Sequence, residues 1–135
     1  MMELMHLSRI WSEKARAAAL FCGIPDSYRK IVMYLSRHPG ASQKETAQFC
    51  GITTAAVNQT VKDMESKSYI RRESNETDKR ASRLYLTEKG VSASEEVKKK
   101  LGEYDSLIAS KLGSEKEKEL ASTLKELSVY IEREL

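Results

Sequence analysis

Between Thr53 and Lys67 the chain carries side chains suited to hydrogen bonding rather than to bond-making: Thr53, Thr54, Ala55, Ala56, Asn58, Gln59 and Lys62. Val57, Val61 and Met64 fall at spacings of four and three, the period of one helix face, which leaves Ala55, Asn58, Gln59 and Lys62 roughly opposite them. A carboxamide offers a donor and an acceptor side by side and matches the exposed edge of adenine. Threonine and alanine methyls can meet a thymine methyl. Lysine adds charge for a phosphate. This set equips a helix to read duplex DNA at an A·T-leaning site. It also describes an ordinary solvated helix face, and its neighbours in the chain favour the first of the two.

From Tyr69 to Leu86 the pattern turns strand-like, with Ile70, Leu84 and Leu86 apolar and Arg83 and Tyr85 alternating against them. Between the strand candidates lies a polar loop, SNETDKRA, with Asp78, Lys79 and Arg80 towards its basic end. A guanidinium at the tip of a β-ribbon can enter a narrow A·T minor groove, where negative potential is strongest, and this singles out Arg80. Lys79, Arg71 and Arg72 are expected to meet phosphates or solvent. Ser42 and Gln43 open the preceding helix, whose N-terminal N–H groups can hold a phosphate.

Other chemistry is poorly provided for. The sequence shows no nucleophile–base pair, phosphate loop or ligand cluster, so neither an enzyme nor a cofactor is expected. Cys22 and Cys50 are not spaced like a zinc site, and neither His6 nor His38 completes one. No metal is expected, and both cysteines are read as small buried apolar residues.

The elements that must position these groups follow from periodicity and punctuation. Residues 2–22 read as a first helix, with Leu4, Leu7, Trp11, Ala15 and Ala18 on one stripe and Met1, Met5, Ile10 and Phe21 widening it. Asp26 is an expected N-cap for a second helix to about Arg37, with Tyr28, Ile31, Val32 and Leu35 inward. Ser42-Gln43-Lys44-Glu45 has the capping-box form and opens a short third helix ending at Cys50-Gly51. Thr53 caps the next. Two short helices joined at a glycine turn predict a helix-turn-helix, whose second helix enters the major groove. A long helix follows Thr87, with Val91, Val97, Leu101, Tyr104, Ile108 and Leu112 on its stripe and Gly102 as a weak point where it can bend. Ser114-Glu115-Lys116-Glu117 predicts a second capping box, opening a last helix striped by Leu120, Leu124, Leu127 and Ile131.

The segment from Pro39 to Gly90 resembles the winged-helix domain of the MarR family, the multiple-antibiotic-resistance type of bacterial regulator. The likeness is carried by Pro39-Gly40, Ser42-Gln43, Glu45, Ala47 and Gly51-Ile52, then Asp78-x-Arg80, then Leu84-Tyr85-Leu86-Thr87-Glu88-Lys89-Gly90. Thr46 and Thr60 stand where the family usually has apolar residues, and Ser68 where it often has the glycine ending the recognition helix. The resemblance implies that Asp78 holds Arg80 in the wing and that the flanking helices interlock with a second copy. It also implies a response to small phenolic or lipophilic compounds. Trp11, Tyr28 and Tyr34 are candidate lining residues for such an effector, or plain core. A peroxide-sensing branch uses a reactive cysteine near the first helix, which leaves Cys22 as a redox alternative.

The expected architecture is therefore mainly α with a small two- to three-stranded β wing. Residues 1–24 would be an N-terminal dimerisation helix, 25–90 the winged helix-turn-helix, and 91–135 C-terminal dimerisation helices. Composition agrees: of 135 residues, 40% are hydrophobic and 32% charged, enough for one core beneath an ionic surface. The net charge of +3 is unevenly placed: residues 1–52 carry +3, residues 53–90 carry +2 and residues 91–135 carry −2. No apolar run approaches the ~20 residues that span a bilayer, and a cytoplasmic protein without a membrane partner is expected. The expected function is sequence-specific binding of double-stranded DNA by a homodimeric, ligand-responsive repressor. A winged-helix module turned to protein–protein contact is the rival.

Overall fold

Helix boundaries in this chain are set by its punctuation residues, and the computed structural model places them as α1 (Met2–Phe21), α2 (Asp26–Arg37), β1 (Ala41–Ser42), α3 (Gln43–Cys50), α4 (Thr54–Ser66), β2 (Ile70–Asn75), β3 (Asp78–Leu86), α5 (Glu88–Leu112) and α6 (Ser114–Glu134). The structure describes the backbone of residues 1–75 and 78–135 and the side chains of residues 1–74 and 82–135. The three strands form one antiparallel sheet in the order β1-β3-β2. Ile70 faces Leu86 and Arg72 faces Leu84 across the ribbon, while Ala41 pairs with Leu84 on the other side. A mainly helical fold with a small three-stranded wing is what the sequence predicts.

Three local expectations change. The second helix starts one residue earlier than a capping Asp26 would allow: Pro25 is the N-cap, and Asp26 lies inside the first turn. Its carboxylate pairs instead with Arg29 at 3.0 Å and with Arg16 of α1 at 3.5 Å. The expected capping box at Ser114 does not form, because Gly113 takes the N-cap position and its carbonyl accepts the Glu117 N–H at 3.0 Å. The polar stretch SNETDKRA is largely strand, since the ladder runs out to the Asn75–Asp78 pair. α5 runs as one helix through Gly102.

The chain divides into two compact units, Met1–Lys99 and Lys100–Leu135. In the first, the core gathers the inward faces of the helices and sheet: Ile31, Val57, Val61, Met64 and Leu84 are 0% exposed. Ile24, Tyr28, Val32, Leu35, Ala47, Cys50, Ile70 and Val97 are also buried. Cys50 behaves as the buried apolar residue expected, and burial raises its thiol pKa. Cys22 differs from expectation in being only half-buried, at the C-cap of α1. In the second unit, every residue of α6 keeps some exposure to solvent. Leu120, Leu124, Val129, Tyr130 and Ile131 are exposed along it, as are Leu107 and Ile108 on α5. Met1, Met2, Met5, Leu7, Leu20 and Phe21 are exposed at the N-terminus and along α1.

Candidate nucleic-acid interface

The turn between α3 and α4 is built from caps. The Ser42 hydroxyl accepts the Glu45 N–H at 3.1 Å while the Glu45 carboxylate accepts the Ser42 N–H at 2.7 Å, so the predicted capping box is present. The Ser42 N–H, and after it the Ser42 side chain, hold the Glu45 pKa below the usual carboxylate value, helped by the charges of Arg83 and His38. An ionised carboxylate therefore sits at the helix end that the sequence assigned to a phosphate. Thr46 is wholly buried where an apolar residue is usual, and its hydroxyl is satisfied by the Ser42 carbonyl at 2.8 Å. Gly51, with φ 67, closes α3 in a left-handed turn that a Cβ would strain. Thr53 then caps α4, accepting the Ala56 N–H at 3.1 Å.

This turn presents α4 with Val57, Val61 and Met64 inward and Thr53, Thr54, Ala55, Ala56, Gln59 and Lys62 exposed. Asn58 is half-buried at the edge of that face, where it meets Gln43 from the start of α3. The two amides approach to 3.3 Å, and the Arg72 guanidinium closes on the same Gln43 atom at 2.7 and 3.1 Å. Putting a Gln43 nitrogen at that point bonds it to Asn58 Oδ1 but sets it against two guanidinium nitrogens. Putting the oxygen there satisfies Arg72, and that orientation is the physical one because a guanidinium has only donors. Arg72 is held in turn by Glu65 of α4, with Nε donating to Oε2 at 2.8 Å. Arg72 is thus an internal strut between β2, α3 and α4 rather than a solvent-facing charge. Ile70 shares its strand face and is buried, so the period of two was the signal that Arg72 would point inward and need partners.

The far end of α4 is anchored twice. Ser68 has φ 63, the left-handed conformation of a helix-ending glycine, and the Tyr69 N–H reaches back to the Met64 carbonyl at 2.8 Å. On the α2 side the buried Tyr28 hydroxyl donates to Asp63, which also accepts from Lys67 at 3.2 Å. Tyr28 is raised in pKa by desolvation and by Asp63, Asp63 is lowered by Tyr28 and Lys67, and Lys67 is raised by Tyr28 and Asp63. The ring of Tyr28 meets Tyr69 edge-on at 5.5 Å. Tyr34, also on α2, is half-buried and lies between Phe49 at 4.5 Å and His38 at 4.6 Å. Trp11 is half-buried on α1. A cleft of ≈ 210 Å³ is lined by Cys22, Ile24, Tyr69, Lys89, Ser92, Ala93 and Glu96, none of them a residue the sequence proposed for an effector.

In the wing, Arg71 stacks over Tyr85 at 4.5 Å and pairs with Glu73, and Arg83 donates to the Gly40 carbonyl at 3.1 Å. The backbone of Asp78, Lys79 and Arg80 belongs to β3, but their side chains lie outside the described residues. The wing returns to the end of α4 through Thr87-Glu88-Lys89-Gly90. Thr87 Oγ1 donates to the Ser68 carbonyl at 2.5 Å and accepts the Gly90 N–H at 3.1 Å. Lys89 Nζ donates to the Lys67 carbonyl at 2.9 Å and lies 4.3 Å over the Tyr69 ring. A Cβ on Gly90 would collide with the Tyr69 carbonyl oxygen, so only glycine permits this approach. Among the described residues there is no cluster that could hold a metal, and no helix long and apolar enough to cross a membrane.

The same arrangement of helices and wing recurs in known proteins. The MarR family model matches residues 23–81. The HTH-type transcriptional regulator BilQ of Clostridium symbiosum (strain WAL-14163) is 30% identical over 115 residues, covering 80% of each chain. A MarR transcriptional regulator from Methanosarcina mazei Go1 superposes with a TM-score of 0.84 at 20% identity, over 99% of this chain and 96% of that one. A mutant of MepR from S. aureus, bound to an oligodeoxyribonucleotide, superposes at 0.66 and 20% identity, over 96% of both chains.

Proposed function

This chain belongs to the MarR family of transcriptional regulators, and from that premise we propose that it binds double-stranded DNA sequence-specifically, as a cytoplasmic homodimeric repressor. The observation that carries the proposal is α4 itself. Its inner face is entirely buried, its caps are fixed at both ends, and its outer face offers Thr54, Ala55, Asn58, Gln59 and Lys62. A rigid helix with hydrogen-bonding side chains outward is the form that major-groove readout takes. The likeness to a MepR mutant bound to an oligodeoxyribonucleotide supports it.

Ser42, Gln43, Thr53 and Ala56 flank that face and would contribute contacts at its N-terminal end, with Asp78, Lys79 and Arg80 serving the adjacent groove from the wing. Homodimerisation is supported by the apolar side chains left exposed on α1 and α6, which water penalises unless a second copy covers them. Two recognition helices would then sit ~34–36 Å apart and read a pseudo-palindrome. For a small aromatic or lipophilic effector, partial exposure supports Trp11 and Tyr34, whereas the ring and hydroxyl of Tyr28 are taken up by Tyr69 and Asp63.

Selection of bound sequences from a random duplex pool tests the whole proposal. Enrichment of an inverted repeat with half-sites one helical turn apart is the expected result. Recovery of an unenriched pool, with no binding at low salt, would overturn it.

A further inference from the structure

We infer that Arg72 is a positioning residue that fixes which way the Gln43 and Asn58 carboxamides face, and through them the base preferred opposite Asn58. This rests on α4 being the DNA-reading helix. Arg72 is oriented first: its Nε is committed to Glu65 Oε2 at 2.8 Å, and both side chains are mostly covered, 25% and 31% exposed. The planar guanidinium then has one direction in which to aim its Nη1 and Nη2, and they meet Gln43 at 2.7 and 3.1 Å. Having no acceptor, the guanidinium requires the Gln43 oxygen there.

The consequence passes to Asn58. The same Gln43 oxygen lies 3.3 Å from the Asn58 carboxamide. An oxygen needs a donor, so Asn58 turns Nδ2 towards Gln43 and keeps Oδ1 and its second N–H for whatever approaches α4. That outward pair is an acceptor beside a donor, in the order that meets the N6 and N7 positions of adenine. An amide alone rotates between two nearly equivalent orientations, and only one of them suits adenine. Arg72, on another element, selects it. Gln43 is left with two outward N–H donors.

The test uses the full chain and a panel of duplexes, derived from the selected site, that carry each base in turn at every position. Arg72→Met should cut discrimination at the one base pair per half-site that meets Asn58, by about tenfold, the scale of one bidentate contact. Discrimination elsewhere should stay within about twofold. Arg72→Lys keeps the charge but not the planar fork, and should behave like Arg72→Met. Gln43→Glu still offers oxygen to Arg72 and Asn58; its added charge should weaken binding to every duplex alike, while the relative preference opposite Asn58 is retained. The side-chain amide signals of Asn58 in the free protein give a readout without DNA: one slowly exchanging N–H in the wild type, none in Arg72→Met.

Wild-type discrimination in Arg72→Lys would show that charge alone acts, and would overturn the inference. So would equal losses at every position, which report a displaced helix, or an unchanged Asn58 amide in Arg72→Met. If wild-type protein binds no sequence preferentially, α4 is not a reader, and the amide signals still report separately whether Arg72 orients Asn58.

Discussion

Ser68→Gly should make this protein more stable, although it removes a side chain and adds chain entropy. Ser68 sits at φ 63 in the turn that ends α4. A residue with a Cβ pays roughly 1–2 kcal/mol to hold a left-handed conformation, somewhat less for a small polar residue. Glycine avoids that cost but loses about 0.5–1 kcal/mol more in chain entropy on folding. The difference is a gain of about 0.5–1 kcal/mol. The contacts of the turn are made by backbone atoms: the Ser68 N–H to Glu65, the Tyr69 N–H to Met64, and the Ser68 carbonyl to Thr87. All survive the substitution. In a domain of this size the gain corresponds to a rise in Tm of roughly 2–5 °C, readable by circular dichroism or calorimetry. Ser68→Ala, which keeps the Cβ, should leave Tm within about a degree or two of wild type. An unchanged or lower Tm for the glycine variant would refute the reasoning, because backbone strain would then not be what the turn stores.

Gly90→Ala should destabilise the fold by about 1–3 kcal/mol, measured by urea denaturation, since the new methyl meets the Tyr69 carbonyl oxygen rather than a movable side chain. Ser42→Ala should cost about 1 kcal/mol through loss of the α3 cap, in the same assay. Glu45 has a lowered pKa in the folded protein, so its contribution is complete above the ordinary value of 4.5 and disappears as pH falls below it through the folded value. Acid titration of stability should therefore show a smaller loss below pH 4.5 in Ser42→Ala than in wild type. Tyr28→Phe removes the donor to Asp63, and its stability should fall less than that of wild type as pH rises past 10.0, because the raised Tyr28 pKa stabilises the fold only below that range. Arg80→Ala should weaken operator binding and reduce the salt slope by about one, in fluorescence anisotropy titrations at several salt concentrations.

Local chemistry was the part of the fold most readable from the chain. Ser42 with Glu45, Thr53 and Gly51 declared their helix ends because each cap is made by residues within four positions of one another. The inner stripe of α4 was equally plain, since Val57, Val61 and Met64 have no other use. Where two local signals competed, the sequence misled. Ser114 offered a capping box, but Gly113 at φ 80 supplied an extended entry that let the helix start a residue sooner. The polar composition of SNETDKRA hid a strand because it carries no apolar alternation, and the ladder is made by backbone pairing with the neighbouring strand. The candidate site divides along the same line. The outward set on α4 follows from periodicity alone. The Gln43–Arg72–Glu65 contacts and the Tyr28–Asp63 bond join residues from separate elements, and nothing within either element specifies the partner.

The left-handed turns at Gly51 and Ser68 bracket α4 so closely that it behaves as a replaceable cartridge. Its attachment depends on three buried side chains, two turns, a buttress from Tyr28 and the Glu65–Arg72 strut, none of which uses the outward positions 54, 55, 59 and 62. Those four positions are therefore open to variation at little cost to folding. If α4 reads DNA as proposed, divergence towards new operators would proceed by surface substitution alone, with the scaffold held constant. A designer would exchange these four residues and leave Gly51 and Val57 untouched.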